Sequence, residues 1–409
     1  MVETETVRRW VLSALAVLVS LSAWGWWQDG ELLLSGSGIH GYSSISSQMH
    51  YTMRWTVLDG FNNWWIVQLL LAALVGAGWF AAVTPERKWR RLSLLTCFIL
   101  VVSFNARTPL VVSSPEIIVA VLVFWVMLLE LSDWESRVLR AAQVQMALVF
   151  ISPLILRFAY GTGVWPSGDA VSVIVHNDAV SRGWLAGAAR GLPEPALRVI
   201  TFVVIAIELA AGLSLLVAAV LSGVLKQRWR FRVWVSVCVL QVGIALTCGL
   251  WTISFAVALA ASLMLASGRA VPRLDVFGLM ARMALVCVVV LNALSLSSQP
   301  AQSAAAQRNA AAHTTRALGI WQVWSTFSPD PTAAQRWVEL RDGNGAIIVD
   351  SRDAGSKIRK LAQSVMLESR GALADAWGRV ACDSGEVAVV VIEMVNAELK
   401  EYEKSRVAC

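Results

Sequence analysis

The chain has 409 residues, 57% of them hydrophobic and 15% charged, with a net charge of +6 and a mean hydropathy of +0.61. A soluble protein carries about 25% charged residues, so this composition excludes an ordinary soluble fold and points to several lipid-compatible runs. Residues 297–409 hold 13 acids and 13 bases, so the whole positive excess lies between the apolar runs, which argues against a nucleic-acid partner.

Nine runs read as membrane spans: 10–27, 64–83, 92–110, 115–132, 141–159, 197–225, 233–249, 251–267 and 279–297. Crossing about 30 Å of hydrocarbon takes about 20 helical residues. Several runs are shorter, which calls for snorkelling ends or a thinner bilayer. The third is interrupted by "NARTP", and the seventh and eighth nearly fuse at "CGLWT". The first could be a signal peptide behind Arg8 and Arg9. Bulky "WGWW" stands where a peptidase needs small residues, so a retained helix is expected.

Orientation follows from the basic clusters "RRW", "PERKWRR", "SRVLR", "KQRWRFR" and "GRAVPR", which together hold fourteen Lys or Arg. Counted in order they all fall on one side. The opposite loops hold Arg54, Arg107, Arg182 and Arg190, with Arg198 at a helix entrance. The N-terminus is therefore expected in the cytoplasm, and an odd number of spans puts the C-terminus outside. Trp10, Trp26, Trp27, Trp64, Trp65 and Trp251 flank apolar runs and read as an interface belt.

Residues 1–297 thus form a helical membrane domain. Residues 298–318 are a small-residue linker, and residues 319–409 form an extracytoplasmic α+β domain. In the last of these, "RWVELRDGNGAIIVDS" predicts a hairpin, 355–380 a helix and "EVAVVVIEMV" a strand. Cys97, Cys238, Cys248 and Cys287 sit in apolar runs as packing residues. Cys382 and Cys409 both lie in the external domain, where a disulfide between them is allowed. No Cys/His spacing resembles a metal site.

Polar residues inside spans are costly and tend to mark function. Arg157 ends the fifth run, Gln145 lies within it, Glu208 lies in the sixth and Gln241 in the seventh. Glu208 lies about 16 Å along its helix from the outer end, where a carboxylate must pair with a cation or keep its proton. Two arrangements are open. Arg157 and Glu208 face one another and line a cavity opening outward, or Arg157 snorkels and Glu208 stays protonated between helices. The segment 160–195 reads as a partly re-entrant cap with Asp169 and His176 as polar lining, or as a solvated surface loop.

Four stretches in order resemble the HTTM family, the horizontally transferred transmembrane domain shared with vitamin K-dependent gamma-carboxylase. They are "QVQMALVFISPLILRFAYGTGVWPSGDAV", with Trp165 and Gly168; "IELAAGLSLL", with Glu208; "LQVGIALTCGLWTISFAVALAA"; and "WSTFSPDP", with Trp324, Phe327, Pro329 and Pro331. The resemblance implies a multi-helix membrane domain with an extracytoplasmic β-rich domain. It also implies a lysine base acting toward a reduced quinone. Here the corresponding cation is Arg157, which cannot accept a proton near neutral pH. Gln241 stands where many relatives have histidine. Carboxylation is therefore not expected, although an arginine can still bind an anion or a quinone-like lipid.

The expected protein is a bacterial plasma-membrane protein that binds a secreted peptide or lipid-soluble ligand in an outward cavity, for maturation, export or tolerance. Membrane lipids and a membrane-protein partner fit the same reading. The alternatives are a membrane enzyme acting on a quinone or protein side chain through Glu208, and a structural subunit of a membrane complex.

Overall fold

The computed structural model describes residues 4–35, 57–61, 63–107, 114–160, 163–177, 180–221, 224–268, 335–351, 372–382, 386–395 and 398–408, with single positions between 279 and 286 and between 358 and 365. Eleven helices come first: α1 (Thr4–Leu34), α2 (Trp64–Val83), α3 (Arg87–Arg107), α4 (Ser114–Leu131), α5 (Ser136–Tyr160), α6 (Val164–Ser167), α7 (Ala170–His176), α8 (Ala186–Arg190), α9 (Glu194–Val220), α10 (Gln227–Cys248) and α11 (Trp251–Ser262). Six of them, α1, α2, α3, α5, α9 and α10, are long and apolar enough to cross a membrane. The chain is a polytopic helical protein with a small C-terminal sheet.

Burial sorts the helices into centre and rim. Every residue of α4 from Ile118 to Leu129 is buried, as expected of a helix that is apolar all round. α5 is next, with 72% of its most apolar stretch buried by protein, against 22% for α10. The outward faces of the rim helices carry Leu69, Val83, Val199 and Val239, all more than half exposed, where lipid tails would take the place of a core.

Local sequence explains the boundaries. α2 ends at Thr84, which takes an extended conformation ahead of Pro85. α3 begins at Arg87, so the "RKWRR" cluster forms its first turns instead of a loop, and the helix stops at Arg107. Pro153 lies inside α5 and removes one amide donor there. α5 and α9 pack closely at Gly212, where an added Cβ would lie 2.6 Å from Ile151 Cγ1.

The "CGLWT" junction is a clean break between α10 and α11. Gly249 takes φ +71°, and its N–H bonds the Ala245 carbonyl at 2.8 Å. α11 then runs only 12 residues before a 3₁₀ turn at Leu263–Leu265, too short to cross alone. Its C-terminal carbonyls are met by side chains of its neighbours. Gln143 donates to Leu263 at 2.9 Å, Arg230 to Met264 at 3.4 Å and Gln227 to Leu265 at 3.5 Å. The run at 279–297 lies largely outside the described residues, as does the linker.

Of the tryptophans expected in a belt, Trp10, Trp27, Trp65 and Trp251 are exposed, and Trp64 is half-buried beside Trp27. Trp26 departs from it. It is buried and stacked on Phe104 at 6.3 Å, so it ties α1 to α3 as a core residue.

The C-terminal part is a four-stranded antiparallel sheet in the order β2-β1-β3-β4, built from β1 (Gln335–Asp342), β2 (Ile347–Asp350), β3 (Glu386–Val395) and β4 (Glu398–Ala408). The "DGNG" turn joins β1 to β2. Asp342 Oδ1 accepts the Asn344 and Ala346 amides, and Gly345 supplies φ +84°. Helix α12 (Ala372–Val380) packs on β3 and β4 through Gly378, Val389 and Val407. β3 is buried on both faces, which is why it reads as a continuous Val/Ile run: Val387, Val389 and Val391 join one core, while Ala388, Val390 and Ile392 meet Trp337 on the other side. Cys382 is disulfide-bonded. Its expected partner, Cys409, lies outside the described residues, as do Trp324, Phe327, Pro329 and Pro331.

Candidate functional site

The two polar groups singled out from the spans meet. Arg157, in the last turn of α5, donates from Nη1 to Glu208 Oε2 on α9. Arg157 is 4% exposed and the Glu208 side chain 13%, so the arginine does not snorkel away. The close approach at Gly212, one turn further along α9, is what brings the two helices near enough. An ion pair at this burial is costly to desolvate and stands only because the partners and neighbours satisfy it.

Trp165 completes the group. The Arg157 guanidinium carbon lies 3.9 Å from the indole ring centroid, a cation–π contact. The ring is buried among Ala170 and Val204, with Val164, Ile174, Ile205 and Leu240 packed around it. Its Nε1–H is buried and has no hydrogen-bond acceptor among the described residues. A tryptophan nitrogen donates only, so this atom is a donor still waiting for an oxygen.

The loop that carries Trp165 is held by backbone geometry. α6 is a single turn between Gly163 at φ +92° and Gly168 at φ +89°. A Cβ on Gly168 would meet Phe202 Cε2 at 3.0 Å, so the glycine serves both the left-handed turn and the approach to α9. Asp169 does not enter the ion pair. Its Oδ2 accepts the Ser167 hydroxyl at 2.7 Å and its Oδ1 accepts Arg198 Nε at 2.8 Å. The Ser167 hydroxyl, and then Arg198, hold its carboxyl below the usual range. Asp169 is a fastener between loop and helix.

α7 docks across the start of α9, where Thr201 Oγ1 accepts the Val171 amide at 3.1 Å and Ser172 donates to Glu194 at 2.9 Å. The following segment closes the end of α10. Gly183 N–H bonds the Thr247 carbonyl at 2.7 Å, and Leu185 N–H bonds Leu246 at 3.1 Å, which satisfies carbonyls that the helix end leaves open. Arg190 braces this fold-back through the Val175 and Ser181 carbonyls. Residues 163–177 and 180–193 are therefore a folded cap over the start of α9 and the end of α10. His176 is exposed on it, its Nδ1 2.8 Å from the Ser172 carbonyl, and takes no part in the ion pair.

Gln241 is buried on α10 beside Leu240, which touches the Trp165 cluster; no contact of Gln241 with Arg157 or Glu208 is found among the described residues. Gln145 is fully buried on α5, where its Oε1 accepts the Trp125 indole N–H from α4 and its Nε2 has no partner among the described residues.

A second charged centre escaped the sequence reading. Glu130, at the end of α4, is fully buried. It accepts Arg8 Nε at 2.5 Å from α1, Arg90 Nε at 2.8 Å from α3 and the Trp134 indole at 2.8 Å. Arg91 donates to its carbonyl at 3.0 Å, and Arg87 and Arg91 reach Asp133. Asp133 and Trp134 both take left-handed conformations, φ 54° and 61°, which turn the chain back under the acid. The available signal is an acid closing an apolar run on the same expected side as the basic clusters at Arg8–Arg9 and Arg87–Arg91.

What the Arg157–Glu208–Trp165 group can do follows from its atoms. It offers donors, an aromatic face and a neutralised carboxylate inside apolar walls, which suits an oxygen acceptor on an otherwise apolar or aromatic molecule. No family model, no curated protein and no solved structure matches the chain.

Proposed function

We propose that the chain is a multi-pass plasma-membrane protein of the HTTM type that binds a secreted peptide or a lipid-soluble molecule at the end of the bundle formed by α5, α9 and the 160–195 cap. The observation that carries this reading is the buried, unpartnered indole N–H of Trp165 over the Arg157–Glu208 pair. The reading includes nine spans, a bacterial host, a cytoplasmic N-terminus and an extracytoplasmic sheet domain. The basic clusters support that orientation, and the six long apolar helices support residence in a membrane. Carboxylation is not part of it, since an arginine in place of a basic lysine cannot take a proton from a substrate.

The test is native mass spectrometry of the full chain in mild detergent, comparing wild type with Trp165→Phe. Phenylalanine keeps the ring but removes the donor. The bound peptide or lipid should be lost up to about tenfold more readily, the worth of one hydrogen bond. Thermal stability should fall only modestly, because the cavity left by the smaller ring is offset in part by removal of a buried unpaired donor. Equal retention by both proteins rejects the site. A Glu208→Gln protein that keeps its partner but stops converting it would instead favour an enzyme.

A further inference from the structure

The cap over the end of α10 turns apolar side chains outward. Trp184 is 75% exposed, more than any other large apolar side chain among the described residues. Val180 and Leu192, on the same segment, are exposed as well. The backbone beneath them is held fast. Gly183 and Leu185, on either side of Trp184, donate to the Thr247 and Leu246 carbonyls in the last turn of α10, and Arg190 braces the segment through the Val175 and Ser181 carbonyls. Exposed apolar side chains grouped on a fixed backbone mark a contact surface.

The position of α10 says what that surface meets. The helix has 22 residues and is about 33 Å long, which matches about 30 Å of hydrocarbon. Its last turn therefore lies at a headgroup layer whichever way the chain is oriented, and the two backbone bonds fix Trp184 at that depth. α10 is also the least covered of the six long apolar helices, with 22% of its apolar stretch buried by protein, so lipid stands beside its end. Leu250 and Trp251, just beyond the same end, are exposed in turn. An indole ring, apolar in its body and polar at its N–H edge, suits the boundary between headgroups and tails.

We propose that Trp184, with Val180 and Leu192, moors the cap in the phospholipid headgroup layer beside α10. The cap is then neither a re-entrant segment nor a solvated loop. Its backbone folds above the hydrocarbon, and its apolar side chains enter the lipid interface. The inference rests on the membrane residence proposed above and is separate from the ligand site at Trp165.

The test uses the full chain in phosphatidylcholine nanodiscs, with the photo-cross-linking residue p-benzoylphenylalanine in place of Trp184 or, in a second protein, of Val239, an exposed residue midway along α10. Mass spectrometry after illumination should find a phospholipid adduct at both positions. An adduct at 239 with none at 184 overturns the mooring and leaves the cap in water. An adduct of 184 to another protein chain overturns it too and assigns the surface to that partner. No lipid adduct at 239 removes the membrane residence of α10, and the mooring with it. As a second measurement, Trp184→Gln should speed hydrogen exchange across residues 180–190 in nanodiscs, and Trp184→Tyr should keep most of the protection. Unchanged exchange in Trp184→Gln also overturns the proposal.

Discussion

Arg157 and Glu208 neutralise one another inside the bundle, and that fixes what a substitution does. Arg157→Gln leaves a buried carboxylate without its counter-charge and should destabilise by about 3–5 kcal/mol, read as a lowered melting temperature in detergent. Exchanging the charges, Arg157→Glu with Glu208→Arg, should recover part of that loss. A double variant no better than either single change would mean that the pair contributes nothing. These two residues are legible in the sequence, because a charge in an apolar run has few tolerable fates. Their juxtaposition was one of two open arrangements, and the choice depended on Gly212, whose missing side chain lets α9 approach α5. Trp165 was legible as a motif position. The lone donor on its ring was not, since hydrogen-bond satisfaction is a property of the packed state.

At the scale of elements, the cap meets the end of α10 through one especially tight backbone approach. A Cβ on Gly183 would lie 1.8 Å from the Leu246 carbonyl oxygen, and backbone cannot swing aside as a side chain does. Gly183→Ala should undock residues 180–190 from α10 while the helices persist. Hydrogen exchange should rise in that segment and in the last turn of α10, and unchanged protection in both would refute the docking. Element positions read well from hydropathy: α2 matches its expected run, and β3 matches the "EVAVVVIEMV" strand. The failures have physical causes. α3 begins earlier than its apolar run because arginines are good helix formers, and three of its first five residues, Arg87, Arg90 and Arg91, find carboxylates. Glu130 was missed because its partners lie 122 and 40 residues away in the chain, a separation no local pattern reveals.

For the whole molecule, the sheet and the helices answer to different tests. Across the sheet, Arg341 on β1 reaches Glu401 on β4, with hydrogen bonds of 3.0 and 2.9 Å, and holds that carboxyl below its ordinary value. A depressed carboxyl contributes stability in full above its unfolded value of about 4.3, and that contribution fades as pH falls through the lower folded value. Hydrogen exchange in β4, corrected for its intrinsic pH dependence, should therefore accelerate below about pH 4, and Arg341→Gln should flatten that response. For the helices, a periplasm-active reporter fused after the last residue should be active and a cytoplasm-active one silent; the reverse result would invert the proposed orientation.

Glu130 also imposes an order in time. Its two cations, Arg8 and Arg90, lie upstream of it, so both have left the ribosome before the carboxylate appears. The helix that carries it has no exposed side from Ile118 to Leu129 once assembled. The two arginines that neutralise this acid are thus made before it, so the carboxylate need never be buried alone while α4 finds its place.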